Sequence, residues 1–379
     1  ALFVMFGSFL LKTGSGQTFI DIAKVVTGNF VGGPAKVAVL SSSFFAMISG
    51  SGMANVATTG NFTIPLMKSL GYKPEFAGAV EAVASSGGSI TPPIMGSSAF
   101  IMAEFLGISY FAVCKAAAIP AFYYYLAVFI GVHLQSVKMG LKPIPKEAIP
   151  LKSEVFVLSK ILNLSIPIII LLALLFKGFS LTFVGGMACM SSLLLYFFSG
   201  FSLNKSKIKM KCISMLEMLK SGGLSLIGVV PILVCSNMLL GLFDFTGLSI
   251  KFSNLVMLVG NENQLMSIIM TAILVMILGC GLPAVAAYII GVTAAMPLLT
   301  RWGFTPLAAH LFIYHFAIIG LITPPVCQSV FVAALIAKSN WLKTAYIAMK
   351  LVPVIYVIPF IFIYDNSYIL IGTKYHIFY

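Results

Sequence analysis

Charge is scarce in this sequence. Asp, Glu, Lys and Arg make up 9% of its 379 residues, where a soluble domain carries about 25%. With 60% hydrophobic residues and a mean hydropathy of +1.06, a soluble globular protein is excluded. Acid is scarcer still, 10 residues against 23 basic ones, and Arg301 is the single arginine. The net charge of +13 comes from lysines in short polar segments, so it reports orientation in a membrane and not nucleic-acid binding. The six cysteines, Cys114, Cys189, Cys212, Cys235, Cys280 and Cys327, stand alone in apolar runs without a CxxC pair. Neither a disulfide framework nor a zinc site is implied. No HExxH, no Asp pair and no plausible Ser/His/Asp spacing occurs, which argues against a membrane enzyme.

What remains is apolar length. At about 20 apolar residues per crossing the chain allows about ten spans, an all-α polytopic membrane protein. Both ends lie inside apolar or aromatic runs, from Ala1 and to Tyr379, so the expectation is a fragment. An internal repeat organises it. Shifted by 232 residues, Gly71, Pro74, Ala77, Gly88, Ile90, Thr91, Pro92, Pro93 and Ser97 fall on Gly303, Pro306, Ala309, Gly320, Ile322, Thr323, Pro324, Pro325 and Ser329. Upstream the best match changes to a shift of 229, pairing Gly50, Gly52 and Ala57 with Gly279, Gly281 and Ala286. Repeated order of this kind marks duplicated structural units.

Each half carries a small-residue motif, SGSGMAN at Ser49–Asn55 and GCGLPA at Gly279–Ala284, flanked by apolar segments short for a full span. Such segments suit a re-entrant hairpin ending at the midplane; a packing seam is the bland alternative. Each half also carries a doubled proline inside an apolar stretch, SSGGSITPP at Ser85–Pro93 and IIGLITPP at Ile318–Pro325. Two prolines remove two backbone donors and exclude helical geometry before them, so the helix must break. Matched breaks in two halves point to a transporter binding site.

Lysine placement gives a topology. Basic loops at Lys138–Lys152 and Lys205–Lys211 are two crossings apart and therefore cytoplasmic, and Lys12, Lys24, Lys36, Lys68 and Lys73 fall on the same side. Asp244, Lys251, Glu262 and Arg301 then lie outside. Five crossings separate the hairpins, so the repeats are expected to be inverted, the first opening inward and the second outward. Met210–Lys220 is expected to be an interfacial amphipathic stretch.

Glycine and serine at a hairpin tip let backbone and hydroxyl oxygens converge on a small cation. The candidate ion ligands are Ser49, Gly50, Ser51 and Asn55 with Gly87, Gly88, Thr91 and Pro92, and Gly279, Gly281 and Ala284 with Gly320, Thr323 and Pro324. Neither tip nor break contains Lys or Arg, so an anionic substrate would rest on helix N-termini expected at Pro93 and Pro325 and on a co-bound cation. Ser51, Asn55, Thr58, Thr59, Glu81 and Ser89 complete the candidate substrate lining, and Ser85 and Ser86 add hydroxyls nearby. Glu81, the one acid well inside a span, reads as an ion ligand or proton carrier, or as a hydrogen-bonded structural acid. His310 and His315 read as polar-network residues, Asp244 and Glu104 as interfacial caps, and no resident cofactor is expected. A channel would need a continuous polar lining, whereas polar residues here cluster at two depths.

The stretch Ser49–Tyr110, with Gly279–Tyr288 and Leu321–Ala334 as its second copy, resembles the large membrane subunit of tripartite ATP-independent periplasmic (TRAP) transporters. The resemblance is closest to the fused form that works with a TAXI-type solute-binding protein. It implies an elevator fold of two hairpins and two broken helices sliding on a scaffold. It also implies symport of an organic carboxylate with Na+, delivery by an extracytoplasmic binding protein, and a small membrane subunit, fused or separate. A bacterial inner-membrane location follows from it, and Glu81 keeps H+ open as the coupling ion. On that pattern, residues 1–35 are scaffold end and connector, 36–105 the first transport half, 106–263 scaffold, 264–338 the second transport half, and 339–379 a terminal scaffold segment.

Overall fold

The computed structural model describes residues 2–198, 205–247, 251 and 263–371. Every regular element among them is helical. Four described helices are long and apolar enough to cross a membrane: Tyr110–Lys138, Leu158–Phe176, Gln264–Gly281 and Ala284–Arg301. The fold is that of an all-α polytopic membrane protein. In such a chain the backbone donors and acceptors must be satisfied within the protein, which helices do segment by segment.

The first half opens with α1 (Leu2–Leu10), a π-turn bent at Gly14 (φ 85°), and α2 (Gly16–Thr27). A helical hairpin follows, α3 (Gly33–Ser49) and α4 (Gly52–Ser69), turning at Gly50 and Ser51. Gly50 has φ 62°, a left-handed conformation that glycine adopts without a Cβ penalty. Then α5 (Pro74–Gly87) continues as one 3-10 turn to Ile90, breaks, and resumes as α6 (Gly96–Leu106). Next come α7 (Tyr110–Lys138), the short α8 (Lys152–Val155), α9 (Leu158–Phe176), α10 (Leu181–Phe198) and α11 (Lys205–Thr246).

The second half repeats the plan with α12 (Gln264–Gly281), α13 (Ala284–Arg301), α14 (Pro306–Gly320) and α15 (Gln328–Ala337). The chain goes on through α16 (Trp341–Leu351) and α17 (Ile358–Tyr364), and the helix pair they belong to is bent by 76°.

Helix boundaries correct the shift of 229 expected around the hairpins. α4, α5 and α6 begin at residues 52, 74 and 96, and α13, α14 and α15 at 284, 306 and 328, one offset of 232 throughout. The G-x-G motifs match in sequence without sharing a place. Gly50 is the first tip, while Gly279 and Gly281 belong to the last turn of α12 and the second tip is Leu282–Pro283. The reason is packing: a Cβ at Gly279 would lie 2.4 Å from the Ala317 carbonyl oxygen, so glycine is needed there for helix approach and not for a turn.

The stretch Met210–Lys220, expected to be interfacial and to feed the next span, lies within the continuous 42-residue α11. Lys36, placed among cytoplasmic lysines, is buried at 4% exposure. Its Nζ lies 3.1 Å from His133 Nδ1 and 5.3 Å from the ring centres of Phe30 and Phe129, aromatic faces that attract a cation.

The two repeats interlock. α15 packs against α4 and α5 of the first repeat, while α6 packs against α13 and α14 of the second. Each helix that follows a break thus leans on the opposite hairpin.

Candidate functional site

The first tip and, in the second repeat, the last turn of α12 meet the breaks in close contact, which is why glycine recurs there. A Cβ at Gly50 would fall 2.2 Å from Gly96 Cα, and one at Gly88 would fall 1.7 Å from Ala46 Cβ. In the second repeat a Cβ at Gly320 would lie 2.6 Å from the carbonyl carbon of Gly279. Ser89 Oγ donates to Gly50 O at 3.3 Å, joining the first tip to the first break. The motifs chosen from sequence are therefore neighbours in each half.

The breaks are alike in detail. Pro92–Pro93 and Pro324–Pro325 are both cis, and Met95 and Cys327, 232 residues apart, have φ of 49° and 42°. Thr91 and Thr323 each donate to the carbonyl four residues back, Gly87 O and Ile319 O, at 2.8 Å. The helices resume at Gly96 and Gln328, three residues beyond Pro93 and Pro325. A residue in left-handed geometry, Met95 or Cys327, stands between the proline pair and the new helix and sets its start. Neither new helix has a side-chain cap, although in α15 the Ser329 N–H donates across the break to Leu321 O at 3.1 Å; helix first turns of this kind can hold anions.

Freed carbonyls at the breaks are claimed by groups that sequence reasoning missed. The Tyr314 hydroxyl lies 2.8 Å from Ser89 O and 2.9 Å from Met95 O. The Tyr110 hydroxyl lies 2.8 Å from Pro93 O and 2.6 Å from Ile94 O. In the second break Cys280 Sγ donates to Thr323 O at 3.1 Å, and Tyr356 OH is 2.9 Å from Thr323 Oγ1. Buried carbonyls without water need such donors, but nothing in the local sequence marks a tyrosine two hundred residues away.

The remaining candidates separate into groups. Ser51 caps α4, its Oγ accepting from Ala54 N at 3.4 Å. Asn55 is 1% exposed. Its Nδ2 donates to Ser42 O at 3.0 Å and Ser85 Oγ at 2.8 Å, while its Oδ1 is buried with no partner. Ser329 Oγ, at the start of α15, is likewise buried without a partner. Across from it, a Cβ at Gly52 would meet Ser86 Oγ at 3.3 Å and Ser329 Oγ at 3.4 Å. Ala284 opens α13, Gly281 is exposed, and Pro325 is exposed at the break. The side chain of Ser49 lies outside the described residues, as do those of Asp244 and Glu262.

Thr58 does not join its neighbour Thr59. Thr58 Oγ1 donates to Ala54 O on the outer side of α4, because adjacent helical residues point about 100° apart. Thr59 and Glu81, both buried, bind each other: the Thr59 hydroxyl donates to Glu81 Oε1 in a short contact. Ser42 lies 2.8 and 3.0 Å from the two carboxylate oxygens, Thr63 donates to Oε2 at 2.6 Å, and Ser85 to Oε1 at 2.9 Å. Asn55, Thr59 and Thr63 are four residues apart on one stripe of α4, and Glu81 and Ser85 are four apart on α5. That spacing could have found Thr63. Ser42, one of three consecutive serines, gave no such signal. His310 Nδ1 is 2.7 Å from Tyr288 OH, and His315 Nε2 is 3.2 Å from Ile355 O, as polar-network residues should be. No group of three potential metal-ligating His, Cys, Asp or Glu occurs among the described residues.

With this geometry, the sequence matches the family described as the tripartite ATP-independent periplasmic transporter, DctM component, over residues 1–377. The chain belongs to that family. Among relatives of this TRAP family, the 2,3-diketo-L-gulonate TRAP transporter large permease protein YiaN of Escherichia coli is 26% identical over 377 residues, covering 98% of this chain and 85% of the relative. The sialic acid TRAP transporter large permease protein SiaM of Vibrio cholerae is 23% identical over 334 residues, 88% of this chain and 75% of the relative. The isethionate TRAP transporter permease protein DctMQ of Oleidesulfovibrio alaskensis is 37% identical over 91 residues, 24% of this chain but 14% of that relative's length.

Proposed function

We propose that this chain is the membrane permease of a secondary active uptake system. It takes in a small organic anion, a carboxylate, coupled to a cation gradient and delivered by an extracytoplasmic binding protein. A small membrane subunit, fused or separate, accompanies it, and its place is the bacterial inner membrane. The observation that carries the reading is the twinned pairing of a helical hairpin with a Pro-Pro break in two interlocked repeats. Family membership supports it, and relatives bear the names of organic acids: sialic acid, 2,3-diketo-L-gulonate and C4-dicarboxylate.

On this reading Na+ is held by oxygens of Ser49–Asn55 with Gly87–Pro92, and of Gly279–Ala284 with Gly320–Pro324. Asn55 Oδ1, buried without a partner, is the side-chain oxygen in the first half best placed to accept a cation. The substrate carboxylate rests on the uncapped first turns of α6 and α15, whose dipoles favour an anion. With no Lys or Arg in either motif, the anion and its cation travel together, which avoids taking a bare charge into hydrocarbon. The interlocked repeats are the body that slides, as an elevator, against the remaining helices. H+ in place of Na+ is the second reading, favoured by one observation, the fully buried Glu81.

The test is uptake by proteoliposomes supplied with a cognate binding protein under separate Na+ and H+ gradients. Uptake should saturate, require the binding protein and stop when the coupling gradient is collapsed. Uptake of free substrate without the binding protein would sink the tripartite reading, and unsaturable flux indifferent to both gradients would make the protein a channel.

A further inference from the structure

We propose that Glu81 and its four hydroxyl partners form a proton-binding site, bonded through Ser85 to Asn55 of the first hairpin and without a counterpart at the matching positions of the second repeat. The proposal rests on the transport reading for its consequence, proton coupling, but not for its test.

Glu81 has no exposed surface. Its carboxylate accepts from Ser42 on α3, Thr59 and Thr63 on α4, and Ser85 on α5. No cation is among these partners. The charged and titratable groups on the packed elements bond elsewhere or stand at exposed or helix-end positions; on α14, which also packs on α5, His310 is at Tyr288 OH, His315 at Ile355 O and Tyr314 at Ser89 O. Lys36 of α3 is at His133 of α7, and Lys68 of α4 donates to Ala337 O at the end of α15. Glu75 stands in the first turn of α5, half-buried, and Lys343 and Lys350 of α16 are exposed. From α7, the Tyr124 and Tyr125 hydroxyls donate to Val83 O and Ala84 O. α15 contributes an apolar side chain, Ile336, beside Gly60 where Glu81 also packs.

The cage is built for hydrogen bonds. Thr63 and Ser85 sit 2.6 and 2.9 Å from the carboxylate oxygens, separations at which a proton lies between each pair of oxygens. Among the described residues no second His, Cys, Asp or Glu joins Glu81 in a metal-ligating group of three.

The cage is also complete in both charge states. With the carboxylate ionised, all four hydroxyls donate to it. When a proton binds, the new O–H donates to a neighbouring hydroxyl oxygen and the displaced hydroxyls have second acceptors in place. Thr59 Oγ1 is 2.8 Å from Asn55 O, Thr63 Oγ1 is 3.1 Å from Thr59 O, and Ser42 Oγ is 3.2 Å from Thr59 Oγ1. No buried polar group is stranded by the change, which would otherwise oppose it. Ser85 links the cage to the tip, since its Oγ accepts from Asn55 Nδ2 while donating to Glu81. A proton taken up here is sealed from both aqueous faces until α3, α4 and α5 part, as coupling requires.

The experiment is infrared difference spectroscopy of the purified chain between acid and alkaline pH, with no substrate, binding protein or gradient. The wild type should gain a carboxylic-acid C=O band on acidification that Glu81→Gln lacks. Thr63→Val keeps the carboxyl but removes one donor to its ionised form, so the band should persist to about one pH unit higher. Coincident wild-type and Glu81→Gln spectra would overturn the proposal, and so would an unmoved midpoint in Thr63→Val. So would Na+ at fixed pH removing the band in the wild type while Glu81→Gln abolishes Na+ binding, since the cage would then hold a metal. Because nothing is transported in this measurement, its failure leaves the uptake reading standing, and failure of uptake leaves the titration intact.

Discussion

The two repeats share a backbone and bury opposite chemistry. At the offset of 232 that aligns their helices, Glu81 corresponds to Ile313, Thr59 to Gly291, Thr63 to Ala295, Asn55 to Ala287, Ser85 to Ala317 and Ser42 to Leu274. The contacts correspond as well. Thr59 meets Glu81 through a hydrogen bond, and a Cβ at Gly291 would meet Ile313 Cγ2 at 2.8 Å. Hairpin and break geometry therefore do not need the polar cage, because the second repeat holds the same shape with aliphatic packing. What the shape needs in both halves is glycine where backbones touch and proline where the helix stops. The polar cage of the first repeat is an addition, and an addition at the cost of burying an acid calls for a function.

The largest effect should come from forcing the first repeat's chemistry onto the second. Ile313→Glu places a carboxylate where Leu274, Gly291, Ala295 and Ala317 stand at the positions of the four hydroxyls that hold Glu81, and an uncompensated buried charge costs about 3–5 kcal/mol. Thermal unfolding of the purified protein should show that loss. A variant as stable as wild type would mean the second repeat holds donors of its own, and the contrast between the halves would dissolve.

Glycines should give the next effect, and they sharpen the comparison by separating tips from packing positions. Gly50→Ala adds a Cβ 2.2 Å from Gly96 Cα in a left-handed residue, and Gly279→Ala adds one 2.4 Å from Ala317 O. Each should destabilise by about 1–3 kcal/mol, the usual cost of overpacking. Gly281→Ala meets nothing within 4 Å and should stay within about 0.5 kcal/mol. If Gly281→Ala is as harmful as Gly279→Ala, the second motif acts as a tip after all and the single offset is wrong.

Much of the architecture was legible because it is written in residues with few conformational options. Pro92–Pro93 and Pro324–Pro325 cannot continue a helix, so both breaks could be located, and a lack of charge over long apolar runs implies a membrane fold. Their resumption points were misplaced by three residues, since the left-handed Met95 and Cys327 carry no sequence mark. Gly279 and Gly281 misled because glycine serves turns and close helix contacts equally well. Of the Glu81 cage, the acid itself, Thr59 and Ser85 had been singled out. Ser42 and the tyrosines that cap the breaks were invisible, because their partners are distant in the chain and only the fold brings them together.

The smallest predicted effect divides two adjacent threonines. Thr59 and Thr58 have the same chemistry and the same helix, yet Thr59 points inward to Glu81 and Thr58 outward to Ala54 O. Thr59→Ala removes one of four donors to the carboxylate, and the other three remain in place, so the loss should be that of a single hydrogen bond, about 1 kcal/mol. Thr58→Ala gives up only a local bond on a partly exposed face and should change stability by less than about 0.5 kcal/mol. Chemical denaturation of the two variants side by side is the measurement. Equal effects would mean that Thr59 contributes packing and no more, which is what Gly291 and Ile313 do at the same two places. The first repeat would then differ from the second in composition but not in the work its buried groups perform.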